Sequence, residues 1–248
     1  MIISIVSPHE RTGKTTTAIL LAQAIGYTQN VSVLLISTEP STTLPEYIGI
    51  EPEDDITSAI GQVVTLIEHN AITPEDIPDY CRRVSPNCTL LDTSTDKFSK
   101  DDMDKLVHTV ATMSTSDVVI VECQKRPIAD SDIVLHVLNE DTASIKMCQN
   151  NMEKFDDIVA SQFYIIAKYN QKVIDLRSVS KDLGVKYRFM GKVHLSEVIE
   201  KECRKGTLDT MMPFIIQKEP SVIELNMDLK EIIQYIFSIM GQKIKWEG

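Results

Sequence analysis

The sequence lacks an apolar run approaching the roughly 20 residues that a membrane-spanning helix needs. It also lacks a basic segment before its first apolar stretch, "MIISIV", so we expect no secretory signal peptide. Basic residues are outnumbered by acidic ones, 25 to 36, which gives a formal net charge of −11. This balance argues against general DNA binding, which needs clustered Lys and Arg, and against electrostatic attachment to anionic lipid.

Motifs for metal binding and for acyl transfer are also missing. The five histidines form no HxxxH or HExxH pair, and no Ser/His/Asp order stands out for acyl transfer. The five cysteines include no CxxC pair, and their irregular spacing favours reduced thiols in a cytosolic protein. Cys81 and Cys88 are candidate metal ligands, but no second Cys/His pair accompanies them. The cysteines are Cys81, Cys88, Cys123, Cys148 and Cys203.

Short β-branched runs alternate with helical patterns along the 248 residues. Most of the runs are almost entirely apolar, which is typical of strands buried on both faces of a parallel sheet. Strands are predicted at residues 2–7, 31–37, 89–91, 118–122, 133–137, 163–167 and 189–193, and helices at 14–25, 56–68, 100–113, 143–155, 175–183 and 196–205. We therefore predict one α/β domain, residues 1–248, with a doubly wound, mostly parallel sheet flanked by helices.

The opening stretch, "MIISIVSPHERTGKTTTAILLAQAIG", predicts a strand, a tight loop and a helix that begins at Lys14. This is the context of a phosphate-binding loop, in which backbone N–H groups and the helix N-terminus face an anion. Lys14 would reach the β- and γ-phosphates, Thr15 would hold Mg²⁺, and Thr16 would contact the α-phosphate. The alternative is a chance GKT at an ordinary helix start, but the buried strand before it and the apolar helix after it favour the loop.

The front half of this loop, Pro8-His9-Glu10-Arg11, has no glycine, so Gly13 alone supplies unusual backbone angles without strain. Arg11, Thr12 and Gly13 are the remaining candidate phosphate-binding residues, because their backbone N–H groups lie just before the helix.

The loop resembles that of the ParA/MinD family, the deviant Walker A ATPases of the SIMIBI class of P-loop proteins, which reads KGGxGK[ST]T. Aligned on the GKTT, the first family lysine falls on His9 and the two glycines fall on Glu10 and Arg11. In the family, that lysine reaches the phosphates of the partner chain across a dimer. The resemblance leaves Arg11 as the cation for this role; the alternative is that Arg11 is a solvated loop charge.

Two acidic residues continue the resemblance. In "VLLISTEPSTTL", Glu39 falls on the second acid of the family's D-x-D-P motif, which orients the attacking water, and Ser37 replaces the first acid. In "DVVIVECQ", Glu122 ends a four-residue apolar run, as the Walker B acid does, and would meet Mg²⁺ through water. The resemblance therefore implies that Lys14, Arg11 and Glu39 are catalytic, and that Thr15, Glu122 and Glu39 surround the metal.

Two further segments bear on the base and on the C-terminus. In "FYIIAKYN", the family's adenine-contacting Asn is replaced by Ala167 while Lys168 remains, and Asn170 is a candidate replacement, so the choice between ATP and GTP stays open. In "MDLKEIIQYIFSIMGQKIKW", apolar residues at helical spacing predict a C-terminal helix over residues 228–246. Because acids offset its lysines, packing on the sheet is favoured over the membrane contact of MinD-like helices.

The resemblance covers about residues 1–240. Its partly replaced motifs are most similar to those of the TadZ/CpaE branch, whose members localise pilus-assembly machinery. The receiver-like N-terminal domain common there is expected to be absent, since the chain starts at the first strand. The implied function is a cytoplasmic ATP- and Mg²⁺-dependent dimerisation switch, with slow hydrolysis, that positions or assembles a protein partner of the pilus, secretion or partition type. The alternatives are a non-hydrolysing scaffold and, less favoured, a dethiobiotin-synthetase-like ligase.

Overall fold

The computed structural model describes residues 1–38, 43–50, 59–91, 93, 99–124, 126–152, 160–170, 172–194, 196–239 and 241. In these residues, one 8-stranded sheet has the order β3-β4-β2-β5-β1-β6-β7-β8. Its strands are β1 (Ile2–Val6), β2 (Val33–Ser37), β3 (Arg82–Ser85), β4 (Cys88–Leu91), β5 (Val118–Glu122), β6 (Ile133–Leu138), β7 (Ser161–Tyr169) and β8 (Met190–His194). All neighbouring strands pair in parallel except β3, which is antiparallel to β4 at the edge. The predicted α/β fold with a mostly parallel sheet is confirmed.

Helices cover both faces of this sheet. The described helices are α1 (Lys14–Gln29), α2 (Thr43–Tyr47), α3 (Ala59–Glu68), α4 (Lys100–Met113), α5 (Thr142–Met152), α6 (Leu176–Leu183), α7 (Glu197–Lys205), α8 (Met212–Ile216) and α9 (Ile223–Ile239). Short 3₁₀ segments lie at Pro74–Tyr80, Tyr187–Phe189, Leu208–Met211 and Pro220–Val222. Within the described residues, each helix is too short or too polar to span a bilayer.

The strands are apolar along their whole length because both of their faces are buried. In β2, Leu35 packs into a core with α1, α8 and α9, whereas its neighbours Leu34 and Ile36 pack into a second core with α3 and α4. Successive side chains of a strand point to opposite faces, so a strand covered on both sides needs apolar residues at every position. A third cluster lies under α5 and α6, around Tyr164 and Ile166.

Some element boundaries differ from the sequence prediction. Strand β3 and helix α8 were not predicted, and α9 begins at Ile223, five residues before the predicted start at residue 228. The predicted ends of two helices, residues 153–155 and 242–246, and the predicted start of a third, residues 56–58, lie outside the described residues. Whether the chain is a single domain stays a prediction.

Two glycines bring the ends of α2 and α7 into backbone contact. Gly49 and Gly206 both have positive φ, +67° and +68°. A Cβ on Gly49 would lie 2.6 Å from the carbonyl oxygen of Gly206, and one on Gly206 would lie 2.7 Å from that of Glu46. Neither position can hold a side chain without moving the backbone, so the two segments are in direct main-chain contact.

Candidate functional site

The loop between β1 and α1 turns through two residues with left-handed backbone angles. Gly13 (φ 86°) is the N-cap of α1 and has no side-chain cap, and Arg11 has φ 61°. A Cβ on Gly13 would also lie 3.3 Å from the Cβ of Ala167, a tight contact. Arg11 stands where the resembling family has glycine, so this loop keeps the turn at a cost of roughly 1 kcal/mol for a left-handed non-glycine residue.

Three polar side chains of this region meet beside the first turn of α1. The Thr15 hydroxyl donates to Glu122 Oε1 at 2.5 Å. Lys14 Nζ donates to the carbonyl oxygen of Cys123 at 2.8 Å and lies 3.9 Å from Glu122 Oε1. Glu122 is only 3 % exposed, so its carboxylate depends on these neighbours and on the helix N-terminus for stabilisation.

The sheet topology explains why these residues meet. Glu122 ends β5, where it lies beside Ile5 of β1 on one side and Ser37 of β2 on the other. In chain order β1 is followed by β2, on one side of β1 in the sheet, whereas β5 is followed by β6, on the other side of β1. Ligands of open parallel sheets bind at such a switch point, outside the carboxyl ends of the strands.

A cavity of about 910 Å³, the loop cavity, opens over this cluster. The buried Thr12 hydroxyl borders it and has no hydrogen-bond partner in the described structure. An unpaired buried hydroxyl is costly, and an incoming anion or its water would satisfy it. The loop cavity is lined by residues 7–16 together with Thr43, Tyr47 and Gln124.

A second cavity of about 630 Å³, the side cavity, adjoins the first. Arg11, Gly13, Thr16 and Tyr47 border both cavities, so one extended ligand can occupy the two. The other residues of the side cavity are Thr17, Leu20, Ala167, Lys168, Val193, His194, Ser196, Ile199, Glu200, Cys203, Arg204 and Leu225. Its walls therefore combine apolar side chains, such as Ala167, Val193 and Ile199, with polar or charged ones, such as Lys168, His194 and Glu200.

Burial keeps two ionisable groups near the side cavity neutral. It raises the pKa of the Cys203 thiol, although a contact with the Thr16 hydroxyl at 3.8 Å opposes this. It also raises the pKa of Tyr47, and the negative charge of Glu122 adds to the effect. A neutral thiol is a poor nucleophile, so Cys203 contributes packing to this wall.

At the end of β8, His194 is held by a carboxylate from α9. Asp228 Oδ2 accepts from the backbone N–H of His194 at 2.8 Å and lies 2.7 Å from its Nδ1. Asp228 is 2 % exposed, and burial raises its pKa while the hydrogen bond from the His194 backbone lowers it. The ring of His194 also packs edge-on against Tyr169, with centroids 5.1 Å apart.

Most of the predicted site residues come together. Lys168 borders the side cavity from a bulge at the end of β7, where it has φ 56°. Asn170 lines neither cavity, and its Oδ1 accepts from the backbone N–H of Lys172, so its role at the base stays a prediction. Glu39 lies outside the described residues. The predicted residues that meet at the first loop are Arg11, Thr12, Gly13, Lys14, Thr15 and Thr16, with Glu122 beside them.

Sequence reasoning missed Tyr47 and the contact between His194 and Asp228. Tyr47 follows residues 39–42 on a five-residue helix, and no motif distinguishes it. His194 was noted only as a replacement for a proline, and Asp228 is 34 residues away in the chain. The available signal was Asp228, an acid at helical spacing between Leu225 and Leu229.

The donor set fits a magnesium nucleotide better than a metal alone. Among the described residues, no three His, Cys, Asp or Glu side chains cluster as a metal site, and the five cysteines are free. In the part of the chain that the structure describes, the Thr15 hydroxyl and the Glu122 carboxylate supply two oxygen ligands, and Mg²⁺ prefers six. Phosphate oxygens and water would have to supply the others, and the unpaired Thr12 hydroxyl and left-handed Gly13 suit the phosphates themselves.

Comparison with solved structures supports the same fold. The cell-division protein MinD from Pyrococcus horikoshii, complexed with Mg-ADP, matches with a TM-score of 0.71 and 16 % identity, covering 96 % of this chain and 97 % of that one. MinD in the MinC:MinD complex of Aquifex aeolicus gives 0.70 and 16 %, covering 98 % and 96 %. A ParA family ATPase from Chlorobium tepidum gives 0.71 and 14 %, covering 92 % and 95 %.

A sequence search of curated proteins finds no match. The family described as the CobQ/CobB/MinD/ParA nucleotide-binding domain, in contrast, matches residues 3–241, which is almost the whole chain. With the sheet order and the loop at the start of α1, this match places the protein: the chain belongs to the CobQ/CobB/MinD/ParA nucleotide-binding domain family.

Proposed function

We propose that this protein binds ATP with Mg²⁺ at the start of α1 and works as an ATP-dependent dimerisation switch that positions or assembles a protein partner. One observation carries the proposal: Lys14, Thr15 and Glu122 meet at the N-terminus of α1, beside a loop with the left-handed turn of a phosphate-binding loop. When bound, Mg²⁺ would neutralise phosphate charge, with Thr15 and Glu122 holding it or its waters.

In this proposal each loop residue has a separate task. The ammonium group of Lys14, which rests on the Cys123 carbonyl oxygen, would turn to the β- and γ-phosphates. Gly13 and the first turn of α1 would present backbone N–H groups, and Thr16 would contact the α-phosphate. Arg11, which borders both cavities, would supply the cation that reaches the partner chain's nucleotide. Glu39 would orient the attacking water.

Hydrolysis is proposed to be slow. His9 replaces the family's first lysine, and Glu39 and Glu122 are one methylene longer than the family's aspartates. Each lost donor or cation at developing phosphate charge costs on the order of 100-fold in rate. The replaced motif positions favour a deviant Walker A protein of the TadZ/CpaE kind. Such a protein would act in pilus or secretion assembly or in partition. The MinD found in complex with MinC supports a protein partner as the output.

A non-hydrolysing scaffold is the second candidate. It is favoured by the same replacements and by the position of the Lys14 ammonium group, which already has a partner in the Cys123 carbonyl oxygen. In such a scaffold, bound nucleotide would stabilise the fold without turning over.

The test combines calorimetry and turnover. Mg-ATP is titrated into the wild type, Lys14→Ala and the matched control Lys146→Ala, an exposed lysine on α5. We expect saturable binding by the wild type and the control and its loss in Lys14→Ala. Slow phosphate release by the wild type and the control, but not by Lys14→Ala, would support the switch, and binding without release would support the scaffold. No heat for any of the three proteins would refute a nucleotide site.

Dimerisation and the role of Arg11 have their own measurement. Sedimentation of the wild type should give a dimer with Mg-ATP and a monomer with Mg-ADP. Arg11→Gly removes the cation yet suits the left-handed backbone at this position, so the loop is preserved. We expect this variant to bind ATP and to lose the dimer or its turnover. An unchanged dimer with unchanged turnover would make Arg11 a solvated loop charge.

A further inference from the structure

The side cavity is bordered by His194, whose ring is held in place by the buried carboxylate of Asp228. Asp228 Oδ2 accepts from the backbone N–H of His194 and lies 2.7 Å from Nδ1, and an ionised carboxylate can only accept. With Asp228 ionised, the ring proton of a neutral His194 is assigned to Nδ1. In the neutral ring this leaves Nε2 as an acceptor, and the structure records no hydrogen bond for Nε2 in the described part of the chain.

The support behind this ring is rigid. Asp228 is 2 % exposed and lies on α9, whose apolar side packs against β8 and the core. Edge-on packing against Tyr169 limits rotation of the imidazole from the other side. A carboxylate that holds one ring nitrogen, so that the other nitrogen has a defined role, is a common arrangement at functional histidines.

The position of His194 relative to the loop is what makes this acceptor useful. His194 borders the side cavity, which shares Arg11, Gly13, Thr16 and Tyr47 with the loop cavity. If the phosphates lie at the start of α1, as the proposed function requires, the nucleoside extends into the side cavity. Apolar walls from Ala167, Val193 and Ile199 suit the faces of a planar base.

We infer that Nε2 of His194 accepts a hydrogen bond from the exocyclic 6-amino group of an adenine base, and that Asp228 is the positioning residue for this contact. The inference rests on the proposed nucleotide site and deepens it. An acceptor at this point suits the amino group of adenine and opposes the carbonyl oxygen that guanine and hypoxanthine carry at the same position. Glu200, the carboxylate that borders the side cavity, is 3.8 Å from Arg204 in an ion pair.

The experiment is a thermodynamic cycle in which one group is removed from the ligand and one side chain is changed in the protein. Affinities of Mg-ATP and of purine riboside triphosphate, which lacks only the 6-amino group, are measured for the wild type, His194→Phe, Asp228→Asn and the control His69→Phe, at an exposed position that lines neither cavity. The wild type and the control should prefer ATP by about tenfold, the value of one hydrogen bond of ordinary strength. In His194→Phe, whose ring can still pack on Tyr169, this preference should disappear, and in Asp228→Asn it should shrink.

Inorganic tripolyphosphate with Mg²⁺ separates the two levels of the proposal. It should bind the wild type and His194→Phe equally, because it has no base. If ATP and purine riboside triphosphate bind the wild type equally, or if the preference survives in folded His194→Phe, the role of His194 is refuted while the nucleotide site stands. If neither ATP nor tripolyphosphate binds the wild type, both proposals fall.

Discussion

At the scale of single residues, the first loop shows how a phosphate-binding turn can form with few glycines. Arg11 adopts the left-handed angles that a glycine would adopt more easily, and Gly13 adopts them two residues later. The turn therefore depends on the surrounding contacts as well as on glycine content. Gly13 is constrained in two ways, because it has positive φ and because a Cβ there would lie 3.3 Å from the Cβ of Ala167, a tight contact.

A pair of glycine substitutions tests this dependence. Gly13→Ala and Gly184→Ala both place alanine at positive φ, 86° and 70°, and both should lose roughly 1 kcal/mol of unfolding free energy. Gly184 has open space around its Cβ position, so Gly184→Ala should keep nucleotide affinity. Gly13→Ala should lose affinity by tenfold or more, measured by calorimetry with Mg-ATP. Equal affinity in the two variants would show that the turn at Gly13 does not shape the site.

His136 predicts a pH dependence of stability. Burial lowers its pKa from 6.5 to about 4, and it is 3 % exposed on β6. The unfolded chain takes up a proton near pH 6.5 while the folded chain resists it, so stability is present above that pH and is lost as pH falls toward 4. At pH 5 the loss is about 2 kcal/mol. Urea unfolding of the wild type at pH 7 and pH 5 measures it.

The matched variants are His136→Phe, which can keep the stacking on Tyr164, and His69→Ala at an exposed position. Only the first should reduce the difference in unfolding free energy between the two pH values. A difference of the same size in His136→Phe would assign the acid sensitivity to other groups.

At the scale of elements, the packing of α9 on β8 leaves no room for a side chain at Gly191. A Cβ there would lie 2.7 Å from Cε1 of Phe163 and 3.2 Å from Cγ1 of Ile232. Gly191→Ala should therefore lose about 1–3 kcal/mol of unfolding free energy through overpacking. Phe163→Leu makes room, so the double variant should lose less than the sum of the two single changes. Additive losses in denaturant unfolding would contradict this packing.

The elements that the sequence predicted correctly are those whose residue pattern follows directly from burial. Strands such as β2 and β5 are apolar throughout because both of their faces are buried, and that pattern can be read without a structure. Strand β3, "RRVS", is an antiparallel edge strand with a register shift, so two of its four residues are arginines and its pattern is not that of the other strands.

The candidate site divides in the same way. The loop residues from Arg11 to Thr16 could be predicted, because a strand, a loop and a helix adjacent in sequence are also adjacent in space. Glu122, 107 residues after Thr15, was predicted from the apolar run that it ends and from the family resemblance. The contact between His194 and Asp228 could not, because it joins the end of β8 to a helix that starts 29 residues later, at Ile223. A role for Asn170 at the base stays a prediction, and in this structure its Oδ1 accepts from a backbone N–H in the turn after β7.

At the scale of the whole molecule, the net charge of −11 predicts the response to nucleic acid. Neutralising phosphates with Lys and Arg supplies most non-specific DNA affinity, and this chain has an excess of acids. We expect no saturable binding of duplex DNA at physiological salt, measured by fluorescence anisotropy with and without Mg-ATP. Binding that weakens steeply with added salt would reveal a local basic surface and would favour a partition role.

The main-chain contact between Gly49 and Gly206 has a mechanical consequence for the two cavities. Tyr47, two residues before Gly49, borders both cavities, and Cys203, three residues before Gly206, borders the side cavity. Backbones in direct contact have no soft side chains between them to absorb a displacement. A shift of α2 on phosphate binding in the loop cavity would displace α7 and change the width of the side cavity. Binding in the loop cavity would then change the affinity of the side cavity, and the reverse by the same factor, because the two are thermodynamically linked.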